Sequence, residues 1–212
     1  MKHDPRVYNE IAGRNIDRLA ALSDGVFAFA MTLLVLDLRI PVGEAIHSEG
    51  DLWHALTTLA PNLITYAMSF MTLGIFWVGQ QTQHNKLERG DRNFAWIHMA
   101  FLLAVTLLPF STKLLAAFMT YRLALLVYWL NIVALGAGLY WSWSYVRRAG
   151  LGKADATPEL DSAILRRIAI AQSLYAIGML LCFVNTYWSI GFMFLVQLNY
   201  VIAPRIGILS RI

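Results

Sequence analysis

The chain has little of what an ordinary soluble domain contains. Only 14% of its 212 residues are charged, whereas 58% are hydrophobic, and the mean hydropathy is +0.55. Its single cysteine, Cys182, lies in an apolar run, which excludes an intrachain disulfide and a cysteine-ligated metal site. This composition is typical of a membrane protein, in which roughly 20 apolar residues form one spanning helix.

Motifs of several function classes are also missing. Lys and Arg lie at the ends of apolar segments and the net charge is only +4, which argues against nucleic-acid binding. No Ser-His-Asp arrangement or glycine-rich phosphate loop stands in a suitable context, and the histidines are scattered. We therefore expect no enzyme, no cofactor and no metal site. A carbonyl-type potassium filter, Thr-Val-Gly-Tyr-Gly, is absent as well.

Six long apolar runs predict an all-α, polytopic membrane protein with six transmembrane helices. The approximate helices are 19–40, 56–80, 94–116, 121–146, 164–185 and 187–204. They leave only short loops, so we expect residues 1–212 to form a single domain. The only linker-like stretch, which contains Gly150, Gly152, Lys153 and Pro158, lies between the fourth and fifth runs.

The basic residues predict the orientation, because cytoplasmic flanks carry an excess of Lys and Arg. Fourteen of the 17 lie in the termini and in the second and fourth loops: Lys2, Arg6, Arg14, Arg18, Lys86, Arg89, Arg92, Arg147, Arg148, Lys153, Arg166, Arg167, Arg205 and Arg211. The other three are Arg39, Lys113 and Arg122. Both termini are therefore predicted to be cytoplasmic.

The charged residues on the predicted non-cytoplasmic side, and those within the apolar runs, help to distinguish between classes of transport protein. The first loop, residues 40–55, carries Glu44, Glu49 and Asp51, which either attract cations or belong to an ordinary solvated loop. The middles of the six runs contain no ionisable acid or base, since Asp24 and Lys113, for example, lie near span ends. A proton-coupled carrier normally keeps such a group near the midplane, so the carrier hypothesis is weakened.

The first apolar run carries the most specific motif. Residues 18–24 read Arg-Leu-Ala-Ala-Leu-Ser-Asp. This stretch resembles the first helix of the transmembrane protein 175 family, the lysosomal potassium channel and its bacterial homologues, whose hallmark is Arg-x-x-x-Phe-Ser-Asp. Leu22 replaces the Phe. The resemblance continues in order through residues 25–28, 32–36, 74–77 and 107–112.

The resemblance implies a homotetramer in a bacterial plasma membrane, with the first helix of each subunit lining a central pathway for potassium ions. It places apolar constrictions at Phe29 and Leu36 and a hydroxyl layer at Thr32. At 100° per residue these three positions fall within 60° on one helix face. Without the resemblance such a stripe would be interpreted as a packing or lipid-facing surface. Relatives usually have Ile or Leu where this chain has Phe29, whose ring either closes the pathway or turns its face to a cation.

The motif also predicts a polar network at the cytoplasmic end of the first helix. Arg18 and Asp24 are six residues apart and do not face each other, so each needs another partner. The second and third runs offer polar side chains at the same depth. The predicted network comprises Arg18, Ser23, Asp24, Trp77, Gln80, Gln81, His84, Asn93, Trp96 and His98. It either takes part in gating or only specifies packing.

Three functional hypotheses follow from these observations. The first is a potassium-permeable cation channel with a hydrophobic constriction on the first helix. The alternative is a proton pathway or secondary carrier on the same scaffold. The third is a structural membrane protein without transport, which leaves Thr32 in the apolar stripe with no role beyond bonding to the backbone.

Overall fold

The computed structural model describes residues 13–39, 46–154 and 157–202 and confirms an all-helical fold. Seven α-helices lie in these ranges: α1 (Ile16–Val35), α2 (Glu49–Thr58), α3 (Ala60–His84), α4 (Arg92–Ala117), α5 (Arg122–Ala149), α6 (Pro158–Leu180) and α7 (Thr186–Ile202). A 3₁₀ turn, Leu181–Phe183, joins α6 to α7. Five helices, namely α1, α3, α4, α5 and α6, are long and apolar enough to cross a membrane. The 17 residues of α7 rise only about 25 Å, and a sixth span therefore stays a prediction.

Polar side chains fix where several of these helices begin. Asn15, Ser48, Asp91 and Thr157 each accept a hydrogen bond from the backbone N–H three residues later. Such caps satisfy donors that a helix start leaves without partners. Pro158, in the first turn of α6, has no backbone N–H that needs a partner, and it therefore favours a helix start at this position.

Two predicted boundaries were wrong around the first loop. The first helix ends at Val35 and not at residue 40, because Leu36 caps it and Leu38 N–H bonds the Val35 carbonyl as the chain turns away. The predicted loop 40–55 contains a helix, α2, which starts where the Ser48 hydroxyl accepts from Asp51 N–H at 3.1 Å. Glu44 lies outside the described residues.

Three segments predicted to share one side of the membrane meet at one end of the bundle. Leu87, after α3, pairs with Gly152, after α5, in an isolated antiparallel bridge. Gly90 N–H also donates to the Arg14 carbonyl, before α1, at 3.3 Å. Lys2, Arg6, Arg205 and Arg211 lie outside the described residues. At the opposite end Lys113 pairs with Asp37 at 3.0 Å.

The core is centred on α4 and α5, which approach each other closely at a glycine. A Cβ added to Gly138 would lie 2.9 Å from Phe101 Cδ2 and 3.3 Å from its Cα. Both residues are buried. The absence of a side chain at Gly138 therefore sets the distance between these two helices.

We expect Gly138→Leu to destabilise the bundle, because overpacking a filled core typically costs roughly 1–3 kcal/mol. Thermal unfolding of the purified protein followed by circular dichroism measures the effect. Gly191→Leu is the matched control, since Gly191 is exposed and nothing lies within 4 Å of an added Cβ. Equal melting temperatures for the two variants would show that α4 and α5 do not require this close approach.

Candidate ion pathway

The first helix has one buried face and one exposed face. Ser23, Phe27, Ala30 and Leu34 are buried against the neighbouring helices. Phe29 and Leu36 lie on the opposite face, with 64% and 68% of their surface exposed, whereas Phe27 exposes 1%. A single subunit therefore leaves large apolar side chains of α1 uncovered.

Thr32 lies on the same exposed face as Phe29. Its hydroxyl donates to the Phe29 carbonyl oxygen at 2.8 Å, one turn earlier. Because the proton is used inside the helix, the lone pairs of the hydroxyl oxygen remain as acceptors. Along the axis Thr32 lies about 4.5 Å from Phe29, and Leu36, at the C-cap, lies about 6 Å further on.

Asp24 joins α1 to α3. Its Oδ1 accepts hydrogen bonds from Trp77 Nε1 at 2.8 Å and from Gln81 Nε2 at 2.9 Å. Trp77 and Gln81 lie one turn apart, so both donors face α1 from the same side of α3. The two bonds give the motif carboxylate the partners that Arg18 does not provide.

Ser23 joins α1 to α4. Its hydroxyl lies 2.5 Å from His98 Nε2, and both side chains are buried. The His98 ring lies 4.9 Å from that of His84 and stacks on Phe94 with centroids 6.0 Å apart. The motif residues Ser23 and Asp24 thus contact two different helices.

The structure brings some of the predicted network together and leaves other members apart. Gln80 and His84 are buried, but their polar atoms have no hydrogen-bond partner among the described residues. Arg18 and Trp96 are exposed, and neither side chain has a hydrogen-bond or ion-pair partner within that part of the chain. Asn93 lies beside Tyr145, whose hydroxyl donates to Asp91 Oδ2 at 2.6 Å.

A second polar cluster, which the sequence reasoning missed, lies inside the bundle. Gln197 Nε2 donates to Thr72 Oγ1 at 2.8 Å, and Thr112 Oγ1 donates to Ser69 Oγ at 2.6 Å. The Tyr128 hydroxyl lies 3.3 Å from both Ser69 Oγ and Thr72 Oγ1. The cluster joins α3, α4, α5 and α7, and its members form hydrogen bonds with one another, as polar groups between spanning helices commonly do. The sequence signal for this cluster was Gln197, a polar residue within an apolar run.

Comparisons with known proteins place this architecture among channels. The family model described as endosomal/lysosomal potassium channel TMEM175 matches residues 18–109. A potassium channel of Streptomyces collinus is 32% identical over 76% of this chain and 77% of that protein. An endosomal/lysosomal proton channel TMEM175 of Gallus gallus is 32% identical over 48% of this chain and 21% of its own length.

A solved structure shares the fold as well as sequence. The crystal structure of a lysosomal potassium-selective channel TMEM175 homologue from Chamaesiphon minutus superposes with a TM-score of 0.75. The match is 26% identical and covers 90% of this chain and 98% of that one. The helical architecture described above is therefore the architecture of a solved channel.

Proposed function

This chain belongs to the family of the endosomal/lysosomal potassium channel TMEM175, and we propose that it is a potassium-permeable cation channel whose pathway is lined by α1. It is a membrane ion channel and not an enzyme. The observation that carries the proposal is the exposed face of α1, on which Phe29, Thr32 and Leu36 lie together.

The exposed face of α1 supports assembly from several copies. Contacts between spanning helices are stabilised by van der Waals packing, which exposed side chains such as Phe29 can make with other copies of α1. We propose a homotetramer with six spans per subunit, in which four copies of α1 surround one axis. The meeting of Arg14, Gly90 and Leu151 at one end supports a common side for these segments. We assign that side, and both termini, to the cytoplasm of a bacterial cell with the channel in its plasma membrane.

Phe29 and Leu36 form the proposed constriction. Rings of apolar side chains expel water from a narrow pathway, and ions pass only when the side chains move apart. Thr32 lies between the two rings and offers its hydroxyl oxygen to a partly dehydrated ion. Potassium sheds its water at lower cost than sodium, so such a layer favours potassium as the permeant ion.

A proton pathway on the same scaffold is the second candidate function. The Gallus gallus relative is named a proton channel, and two buried histidines, His84 and His98, lie behind the motif in this chain. Reversal potentials under a pH gradient, with an impermeant organic cation as the only other cation, distinguish the two. Currents that follow the proton equilibrium potential and persist without potassium favour the proton pathway.

The test of the potassium channel is the reversal potential in planar bilayers under a potassium–sodium bi-ionic gradient. We expect the wild-type reversal potential to give a potassium-over-sodium permeability ratio above one and Thr32→Ala to lower that ratio several-fold. Thr106→Ala is the matched control, because Thr106 is also exposed and donates to a carbonyl one turn earlier at 2.8 Å, but lies on α4. The absence of current, or equal ratios for both variants, would refute the proposed pathway.

A further inference from the structure

A cavity of about 620 Å³ lies between α3, α5, α6 and α7, away from the exposed face of α1. Its volume is within the range of pockets that hold small ligands, about 300–1,000 Å³. The cavity is lined by the second half of α3, by the last residues of α7 and by residues 164–175 of α6. It therefore lies toward the end of the bundle that we assign to the cytoplasm.

The walls of this cavity are mainly apolar, with one positive charge. The apolar lining includes Ile75, Val78, Ile164, Ile168 and Ala171. Arg167 also lines the cavity, with its guanidinium carbon 5.6 Å from the centre of the Tyr200 ring. No carboxylate pairs with Arg167 within the described ranges, whereas Arg147 is paired with Asp161 at 3.1 Å. The cavity thus combines an unneutralised cation with an apolar interior.

Polar groups without partners line the same cavity. Gln172 Oε1 and the Tyr200 hydroxyl are buried atoms without a hydrogen-bond partner among the described residues. The Tyr175 hydroxyl, on a side chain that is only 2% exposed, lies near the Gln197 side chain. A buried polar group without a partner is costly, so an occupant that supplies one would be stabilised there.

We propose that this cavity binds an anionic phospholipid of the cytoplasmic leaflet, whose phosphate pairs with Arg167 and whose acyl chain lies along the apolar wall. Basic pockets between spanning helices on this side of a membrane suit anionic headgroups. Residues 203–212, which follow α7 near Val201, contain two Arg and no Asp or Glu. Their side chains offer Arg167 no counter-charge, which disfavours this segment as the occupant.

The bound lipid would also contact the helix that holds α1. Trp77 lines the cavity, and its Nε1 is the atom that donates to Asp24. An acyl chain packed against the Trp77 ring restrains that ring in the position from which it bonds α1. Lipid binding should therefore favour one position of α1, an effect that rests on the proposed channel function.

Native mass spectrometry of the purified full chain, titrated with phosphatidylglycerol or phosphatidylcholine, tests the site itself. We expect phosphatidylglycerol to bind at least tenfold more tightly, and Arg167→Gln to abolish that preference. Arg166→Gln is the matched control, because Arg166 carries the same charge at the adjacent position but does not line the cavity. Ala171→Phe, which fills the cavity, should block binding, whereas Ala169→Phe on the exposed surface of α6 should not.

Several results would overturn the proposal. Equal affinities for the two lipids, or equal losses for Arg166→Gln and Arg167→Gln, would refute a specific anionic site. Competition by inorganic phosphate at matched concentration would show an anion site without an acyl chain. Tighter lipid binding by a chain that ends at residue 202 would identify residues 203–212 as the occupant.

Potassium flux in vesicles of each lipid then tests the coupling separately. A larger flux in phosphatidylglycerol that Arg167→Gln removes and Arg166→Gln retains supports it. Lipid binding with an unchanged flux would refute the coupling between the lipid and α1 but would still support the lipid site. Lipid binding with no flux in any vesicle refutes the channel function and leaves the site as well.

Discussion

The double substitution of Phe29 and Leu36 by alanine is expected to raise potassium flux about tenfold or more. Both side chains are large, apolar and exposed on α1, and their truncation would widen the proposed pathway and let water enter. A tenfold change corresponds to a decrease of only about 1.4 kcal/mol in the free-energy barrier to ion passage. This decrease is modest for the truncation of two layers of apolar side chains. Flux assays in reconstituted vesicles, normalised to the amount of inserted protein, measure the change.

A matched pair on α4 controls for the loss of apolar surface. Phe110 and Leu103 are each 62% exposed, close to the values for Phe29 and Leu36, but they lie on another helix. We expect the alanine variants of Phe110 and Leu103 to retain wild-type flux. A similar rise in both double variants would indicate general leakiness, and no rise in either would move the constriction away from α1.

Asp24→Ala is expected to abolish the current and to destabilise the fold. The variant removes the single oxygen that accepts from both Trp77 and Gln81, and hydrogen bonds to a charged group contribute roughly 1.5–3 kcal/mol each. Because Asp24 is exposed in the subunit, screening reduces the total, and we expect a loss of about 2 kcal/mol. Thermal unfolding and bilayer recordings measure the two effects.

Two variants separate the contact from the charge. Asp24→Asn retains an oxygen that accepts from Trp77, so most of the stability should remain. Asp17→Ala removes the same charge earlier on α1, where no side-chain partner is seen within the described residues. If Asp24→Ala and Asp17→Ala had the same melting temperature and the same current, the contact of Asp24 with Trp77 and Gln81 would have no role in either. If Asp24→Asn were as damaging as Asp24→Ala, the charge and not the acceptor would matter.

The sequence predicted the helices well where apolar runs define them, and poorly where single polar contacts do. The third run was predicted at 94–116 and is observed at Arg92–Ala117. The end of α1 at Val35 was missed, because the apolar residues Leu36 and Leu38 continue the run past the point where the backbone turns. The start of α2 had a local signal, Ser48 followed three residues later by Asp51, within a stretch that reads as an acidic loop.

Several contacts of the polar network were predicted, such as those of Asp24 with Trp77 and Gln81, but the direction in which each side chain faces around its helix was not. Gln80 and Gln81 are adjacent, yet Gln81 reaches Asp24 while Gln80 is buried without a hydrogen-bond partner in the described part. Arg18 and Trp96 are exposed and do not join the contacts of Asp24. The bond between Thr72 and Gln197, 125 residues apart, depends on how distant helices pack, which the pattern of apolar residues does not specify.

Polar contacts hold the first helix at two levels. Asp24, the ninth of its 20 residues, is bonded to α3, and the adjacent Ser23 contacts His98 of α4. Asp37, just beyond the C-terminal end, is paired with Lys113 of α4. Thirteen residues, or about 20 Å, separate Asp24 from Asp37, and the contacts that α1 makes between them with the described residues of its neighbours are apolar. α1 cannot shift along its axis without breaking the contacts of both Asp24 and Asp37. The segment between these residues can still move sideways, and its side chains can rotate. We therefore expect opening to be a sideways movement around Phe29 and Thr32, and not a piston stroke of the helix.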